Sequence, residues 1–159
     1  EITTRLVGSE MCIRDSFEPE GTCTRAHAVT FLWRASGQPE PKTTNMPFRD
    51  VKPGSYYEKA VLWAVENKIT NGTSTTTFSP DENCTRAQIV TFLWRSKGEP
   101  YASDSNNPFT DIASDYYMDA VFWAVKEGIT KGTTPTTFSP NERCTRGQIV
   151  TFIYRAMVS

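Results

Sequence analysis

The sequence predicts an all-α protein made of helix–loop–helix repeats, and three observations carry that prediction. A stretch of one pattern recurs at residues 23–34, 84–95 and 144–155, with steps of 61 and 60 residues between its Cys positions. A fixed period of this size marks one supersecondary unit used repeatedly. Each copy opens with Cys-Thr-Arg and carries Gln or His three residues after the Thr, the spacing of a capping box. Behind the cap, apolar residues fall at three- and four-residue intervals, as Ile89, Phe92, Leu93 and Ser96 do on one helical stripe.

The capped element comes first. Thr85 with Gln88 and Thr145 with Gln148 form the full box, in which the hydroxyl takes the N3 amide and Gln reaches back to the cap amide. Thr24 meets His27 instead, so the first box is the weaker one. Arg25, Arg86 and Arg146 all stand in the first helical turn, where the helix dipole disfavours a cation by a few tenths to ~1 kcal/mol. Two readings of that repeated cost stay open. The guanidinium and the neighbouring amides receive a carboxylate or phosphate, or its stem packs on a neighbouring helix and its head pairs with Asp or Glu.

The first two capped helices stop at a Gly followed by Pro, in residues 35–42 and 96–100, and a polar linker follows each. The linkers lead to Phe48-Arg49-Asp50-Val51 and Phe109-Thr110-Asp111-Ile112, whose Asp reads as a turn or cap acceptor rather than a catalytic acid. Helices are expected over residues 56–67 and 116–127. In the first, Tyr57, Val61, Ala64 and Val65 share a stripe, while Trp63 lies one residue off it, as Trp123 does in the second. A Trp at such a border is a core edge or a platform for a sugar ring. Each helix runs into Ile-Thr-x-Gly-Thr, where Gly72 and Gly132 supply positive φ or admit another group close to the backbone. A Thr-rich stretch then reaches Phe-Ser-Pro and the next capped helix.

Composition bounds the function. A net charge of -1 lacks the basic excess of a nucleic-acid-binding domain. No apolar run approaches the ~20 residues that span a bilayer, so membrane insertion is not expected. Cys23, Cys84 and Cys144 occupy one repeat position and read as small buried hydrophobes kept reduced. Their spacing suits no zinc knuckle, and no metal or other cofactor is expected. The lone His27 sits at a capping position and no pair of acids recurs outside Phe-x-Asp, so no catalytic residue is expected and the chain reads as a non-enzyme. Residues 1–16 match nothing in the repeats, resemble translated adapter sequence, and are read as non-native; Cys12 lies among them.

The order Phe-x-Asp-aliphatic, Tyr-containing helix, Ile-Thr-x-Gly turn, Phe-x-Pro and Thr-Arg-Ala-Gln helix resembles the S-layer homology domain. The resemblance covers complete units at 47–97 and 108–157 and a partial one at 17–40. The family usually has Ile or Val before the tetrad and Glu at its end, where this chain has Cys and Gln, or His27 in the first copy. The resemblance implies repeats in a pseudo-threefold arrangement around a central helical bundle. It also implies a cell-surface location and non-catalytic anchoring to secondary cell-wall polysaccharide, often pyruvylated, held in grooves between repeats. Carried onto this chain, the implied ligand-binding residues are Arg86 and Arg146, with Arg25 a poorer third. Gly72, Gly132, Trp63 and Trp123 are groove walls, and Gln88 and Gln148 end the tetrads. The competing reading is a self-assembly or protein-interaction array. Self-association is further expected at the partial first repeat, whose Phe31, Leu32 and Trp33 would lack a covering helix.

Overall fold

The computed structural model describes residues 18–103, 107–113 and 115–158, and in them the chain is all α. Five helices follow one another: α1 (Arg25–Ala35), α2 (Glu58–Glu66), α3 (Arg86–Ser96), α4 (Met118–Lys126) and α5 (Arg146–Val158). The expected helix starts are where the boxes put them. The Thr85 amide donates to Gln88 Oε1 at 3.0 Å and the Gln88 amide to Thr85 Oγ1 at 3.2 Å. Thr145 and Gln148 repeat the exchange at 2.9 and 3.1 Å. His27 completes the first box through Nδ1, at a longer 3.3 Å. Residues 1–16, with Cys12, lie outside the described residues.

The capped helices α1, α3 and α5 touch one another in the middle of the molecule. Their N-terminal ends are tied into a ring. The Cys84 amide donates to the Cys23 carbonyl at 2.8 Å, Cys144 to Cys84 at 2.9 Å, and Cys23 to Cys144 at 3.3 Å. Such a cycle of three equivalent bonds requires a pseudo-threefold axis through the cysteines. All three cysteines are buried, and Cys84 and Cys144 are free thiols. Burial pushes the Cys144 thiol up to about 12 and the Cys84 thiol well above its ordinary value, so both stay protonated and inert.

The second kind of helix packs outside this triangle, α2 on α1 and α4 on α3. These helices are shorter than the sequence suggested. Tyr57 and Tyr117 are N-caps without a side-chain cap bond, and Asn67 and Glu127 are C-caps. The pairing also corrects the expected site of association. The helix of one repeat covers the capped helix of the repeat before it, so α2 seals α1. Phe31 and Leu32 are fully buried and Trp33 is 7% exposed. Nothing about these three residues favours self-association.

Candidate ligand-binding grooves

The loop between the two helix types positions the site. Asp50 accepts the Phe78 and Ser79 amides, both at 2.8 Å, and Asp111 does the same for Phe138 and Ser139 at 2.9 and 2.8 Å. These acids are acceptors, as read from the sequence, but they clamp a loop far along the chain rather than a local turn. Ser79 and Ser139 take positive φ of 60° in that loop. The Phe carbonyl serves the neighbouring repeat: Arg25 Nε donates to Phe78 O at 2.9 Å, and Arg86 Nε to Phe138 O at 2.8 Å. The Arg25 guanidinium lies 4.8 Å from the Phe78 ring centre and 5.4 Å from that of Phe92. Arg86 repeats this with Phe138 and Phe152, and its Nη2 adds a bond to Thr130 Oγ1 at 3.2 Å.

This geometry answers the question left open about the arginines. The first-turn amides are not free, because the adjacent repeat takes them: Arg25 N donates to Glu82 O and Ala26 N to Pro80 O, Arg86 N to Glu142 O and Ala87 N to Pro140 O. Arg146 N and Gly147 N go to Gly21 O and Pro19 O in the same way. The guanidinium head binds a backbone carbonyl, not the side chain of an Asp or Glu. Arg25 and Arg86 are 3% and 5% exposed. Burial lowers both pKa values, while the nearby thiols, Glu82 and Asp50, or Glu142 and Asp111, raise them. An Arg remains charged under these conditions. A buried cation with one edge fixed and two phenyl rings against it is a rigid donor.

Two cavities open beside these cations. One, of about 380 Å³, gathers Arg25, Gly72, Gln88, Thr91, Arg95 and Tyr116, with Thr70, Asn71, Thr73 and Phe92 around them. The other, of about 730 Å³, gathers Arg86, Gly132, Gln148, Thr151 and Arg155, with Thr130, Lys131 and Phe152 at corresponding positions. The Arg comes from one repeat and the Gly turn, Gln and second Arg from the next. The first cavity is the smaller, and Tyr116, at the start of the following repeat, is part of its lining. Pro19 and Glu20 reach the second.

Six of the nine residues proposed from the sequence therefore meet in two sets: Arg25, Gly72 and Gln88; Arg86, Gly132 and Gln148. Arg146 is half-buried and lines neither cavity. Trp63 and Trp123 are core residues, 8% and 4% exposed, and are absent from both linings. The two glycines are needed for shape. At φ +80° and +89°, a Cβ on Gly72 would collide with Thr77 O and Phe48 Cε1, and one on Gly132 would meet Phe109 Cε1 at 2.6 Å. Sequence reasoning missed Arg95 and Arg155. Their Nη1 atoms donate to Ile69 O at 3.3 Å and Ile129 O at 3.0 Å, fixing each beside its own Gly turn. The signal was present, since Arg ends all three copies of the repeated stretch. Among the described residues, no cluster of His, Cys, Asp and Glu is arranged to hold a metal ion.

Comparison with known proteins agrees with this architecture. The profile of the S-layer homology domain matches residues 47–90 and 108–150. An endoglucanase of Bacillus sp. (strain KSM-635) is 38% identical over 117 residues, covering 74% of this chain and 12% of that protein. A cellulosome-anchoring protein of Acetivibrio thermocellus is 27% identical over 148 residues, 89% of this chain and 33% of its own length. A surface-layer 125 kDa protein of Lysinibacillus sphaericus is 31% identical over 139 residues, 82% of this chain and 11% of its own. The chain thus spans a third or less of each of these relatives. With these two profile matches covering more than half of it, the chain belongs to the S-layer homology domain family.

Proposed function

We propose that the chain is a non-catalytic module at the cell surface, and that it anchors the protein carrying it to the cell wall by holding an acidic wall polysaccharide in the Arg25 and Arg86 grooves. The repeats are taken as 17–40 in part, 47–97 and 108–157. One observation carries the assignment. Each cavity sets a buried, pre-oriented Arg against a second Arg on the facing helix, Arg95 or Arg155, with Thr and Gln donors between them. The Arg25 cavity is lined by no Asp or Glu. Two cations, neutral donors and an aromatic wall suit a sugar bearing a carboxylate, such as a pyruvyl ketal, better than a neutral glycan. Family membership and relatives named for surface layers and cellulosome anchoring support the same location.

The ranking of sites follows the cavities, not the completeness of each Arg's own repeat. Arg25 belongs to the confined groove and Arg86 to the open one; Arg146 is left outside the assignment. Co-sedimentation with purified wall sacculi, before and after chemical removal of the polysaccharide, tests the function. Binding lost with the polysaccharide is the expected result. Binding that survives its removal identifies a protein or peptidoglycan partner and overturns the proposal.

A further inference from the structure

The two grooves are built alike but are not charged alike, and the difference centres on Glu20. Both set two arginines across the cavity, Arg25 with Arg95 and Arg86 with Arg155. The Arg86 groove adds Lys131 where the other has Asn71. Among the described lining residues, only the Arg86 groove carries an acid, Glu20. A carboxylate beside an anion site needs a reason, because at close range it repels the anion.

The backbone holds Glu20 in place. It lies in a turn closed by the Gly21 amide on Glu18 O at 2.9 Å. The carbonyls on either side of it are tied to the start of α5: Pro19 O accepts the Gly147 amide and Gly21 O the Arg146 amide, both at 2.9 Å. Gly147 lets this turn come close, since a Cβ there would stand 3.1 Å from Pro19 O and 3.2 Å from Pro19 Cβ. The same ties at the start of α3 run through Pro140 O and Glu142 O and bracket Asn141, so the corresponding place in the next repeat is uncharged. Glu20 is exposed, and among the described residues no salt bridge joins it to Arg86, Arg155 or Lys131. Those cations keep their charge for a ligand.

What a carboxylate accepts from a carbohydrate is a hydroxyl, and its two oxygens suit a pair of adjacent hydroxyls. Resting on the glycan reading above, we infer that Glu20 is a specificity-determining residue of the Arg86 groove. It accepts hydroxyls of the acidic sugar whose carboxylate Arg86, Arg155 and Lys131 hold. The Arg25 groove reads the carboxylate with neutral partners, whereas the Arg86 groove reads a carboxylate and hydroxyls together. An anion without those hydroxyls meets only repulsion from Glu20.

The test follows the Gly72 and Gly132 amide resonances, one reporter in each groove, during titration with two probes. One is the pyruvyl ketal of a methyl hexoside. The other is its dideoxy analogue, which keeps the carboxylate and lacks the two free hydroxyls. Glu20→Gln should weaken the hydroxylated probe at Gly132 about fivefold, as loss of a charge-assisted hydrogen bond at an exposed position does. The same substitution should strengthen the dideoxy probe there, since it removes repulsion alone. Binding read at Gly72 should be unaffected. The substitution is isosteric at an exposed side chain, and unchanged Gly72 shifts in the free protein verify the fold. A change of the same sign for both probes at Gly132, or no change for either, overturns the inference and leaves the glycan proposal standing. Shifts at neither glycine when the native chain meets the hydroxylated probe remove the glycan reading, and this inference with it.

Discussion

Arg25 and Arg86 are at once structural ties and the proposed ligand donors, and the two roles need different substitutions to separate. Arg86→Ala removes a charge-assisted bond to Phe138 O and empties the space between two phenyl rings. A loss of about 3 kcal/mol of folding stability is expected, the sum of a buried charged hydrogen bond and a desolvated cation–π contact. Urea denaturation measures it. An alanine at this position therefore confounds binding with folding. Asn71 and Lys131 are exposed on the groove walls, so Asn71→Asp with Lys131→Asp places repelling charge in both grooves without touching the core. His27 supplies a pH test. Burial, then the charge of Arg146, depresses it to about 4 from an ordinary 6.5, and its Nδ1 must stay unprotonated to accept the Thr24 amide. Between those values the unfolded chain binds the proton and the folded one does not, so stability rises with pH across that window. It is complete above 6.5 and falls as pH drops toward 4. His27→Gln, which restores the box used by the other copies, should flatten that slope in denaturation curves taken from pH 7 to 4.

At the scale of the element, the Ile-Thr-x-Gly turn is the most demanding piece of backbone. Gly72→Ala adds a Cβ that meets backbone and ring atoms while φ remains positive. The expected cost is about 2 kcal/mol or more from strain and overpacking. Loss of the Arg25 groove without global unfolding, read by nuclear magnetic resonance shifts of Thr70 and Thr73, is the accompanying signature. The capped starts and Gly-Pro stops were legible in the sequence because each depends on residues within one turn of the chain. The tyrosine helices were read too long because their stripe begins at Tyr57, which the structure uses as an N-cap without a side-chain cap bond, and because Asn67 is already the C-cap. Trp63 and Trp123 were misleading for a related reason. A single stripe implies one buried face, but every residue from Ala60 to Ala64 is buried, so a position off the stripe is core as well.

The whole molecule is governed by the ring at the three cysteines, which no local pattern announces. Arg25 finds its carbonyl 53 residues away and Arg86 finds its own 52 away, one repeat ahead in each case. The period told that the units were equivalent; only closure about an axis told which unit completes which. This is why the arginines looked like helix-terminal anion sites and proved to be inter-repeat ties whose amides are already taken. It is also why Phe31, Leu32 and Trp33 are buried, since the helix of the following repeat packs on α1. A charge or a larger side chain at the axis should disrupt all three contacts at once. Cys84→Asp is expected to prevent cooperative folding, because a carboxylate in this fully buried position has no room for solvation. Cys84→Val should be tolerated within ~1.5 kcal/mol. Differential scanning calorimetry distinguishes the two outcomes.

The central claim is that the two inter-repeat grooves hold an acidic wall glycan. Isothermal calorimetry with a soluble terminal saccharide of the wall polysaccharide, carboxylated and with its carboxylate removed, tests it most directly. The account predicts that the native chain binds only the carboxylated form and that Asn71→Asp with Lys131→Asp weakens binding about tenfold or more while thermal stability is unchanged. Equal affinity for the two saccharides, or a folded double variant that binds as the native chain does, would contradict it.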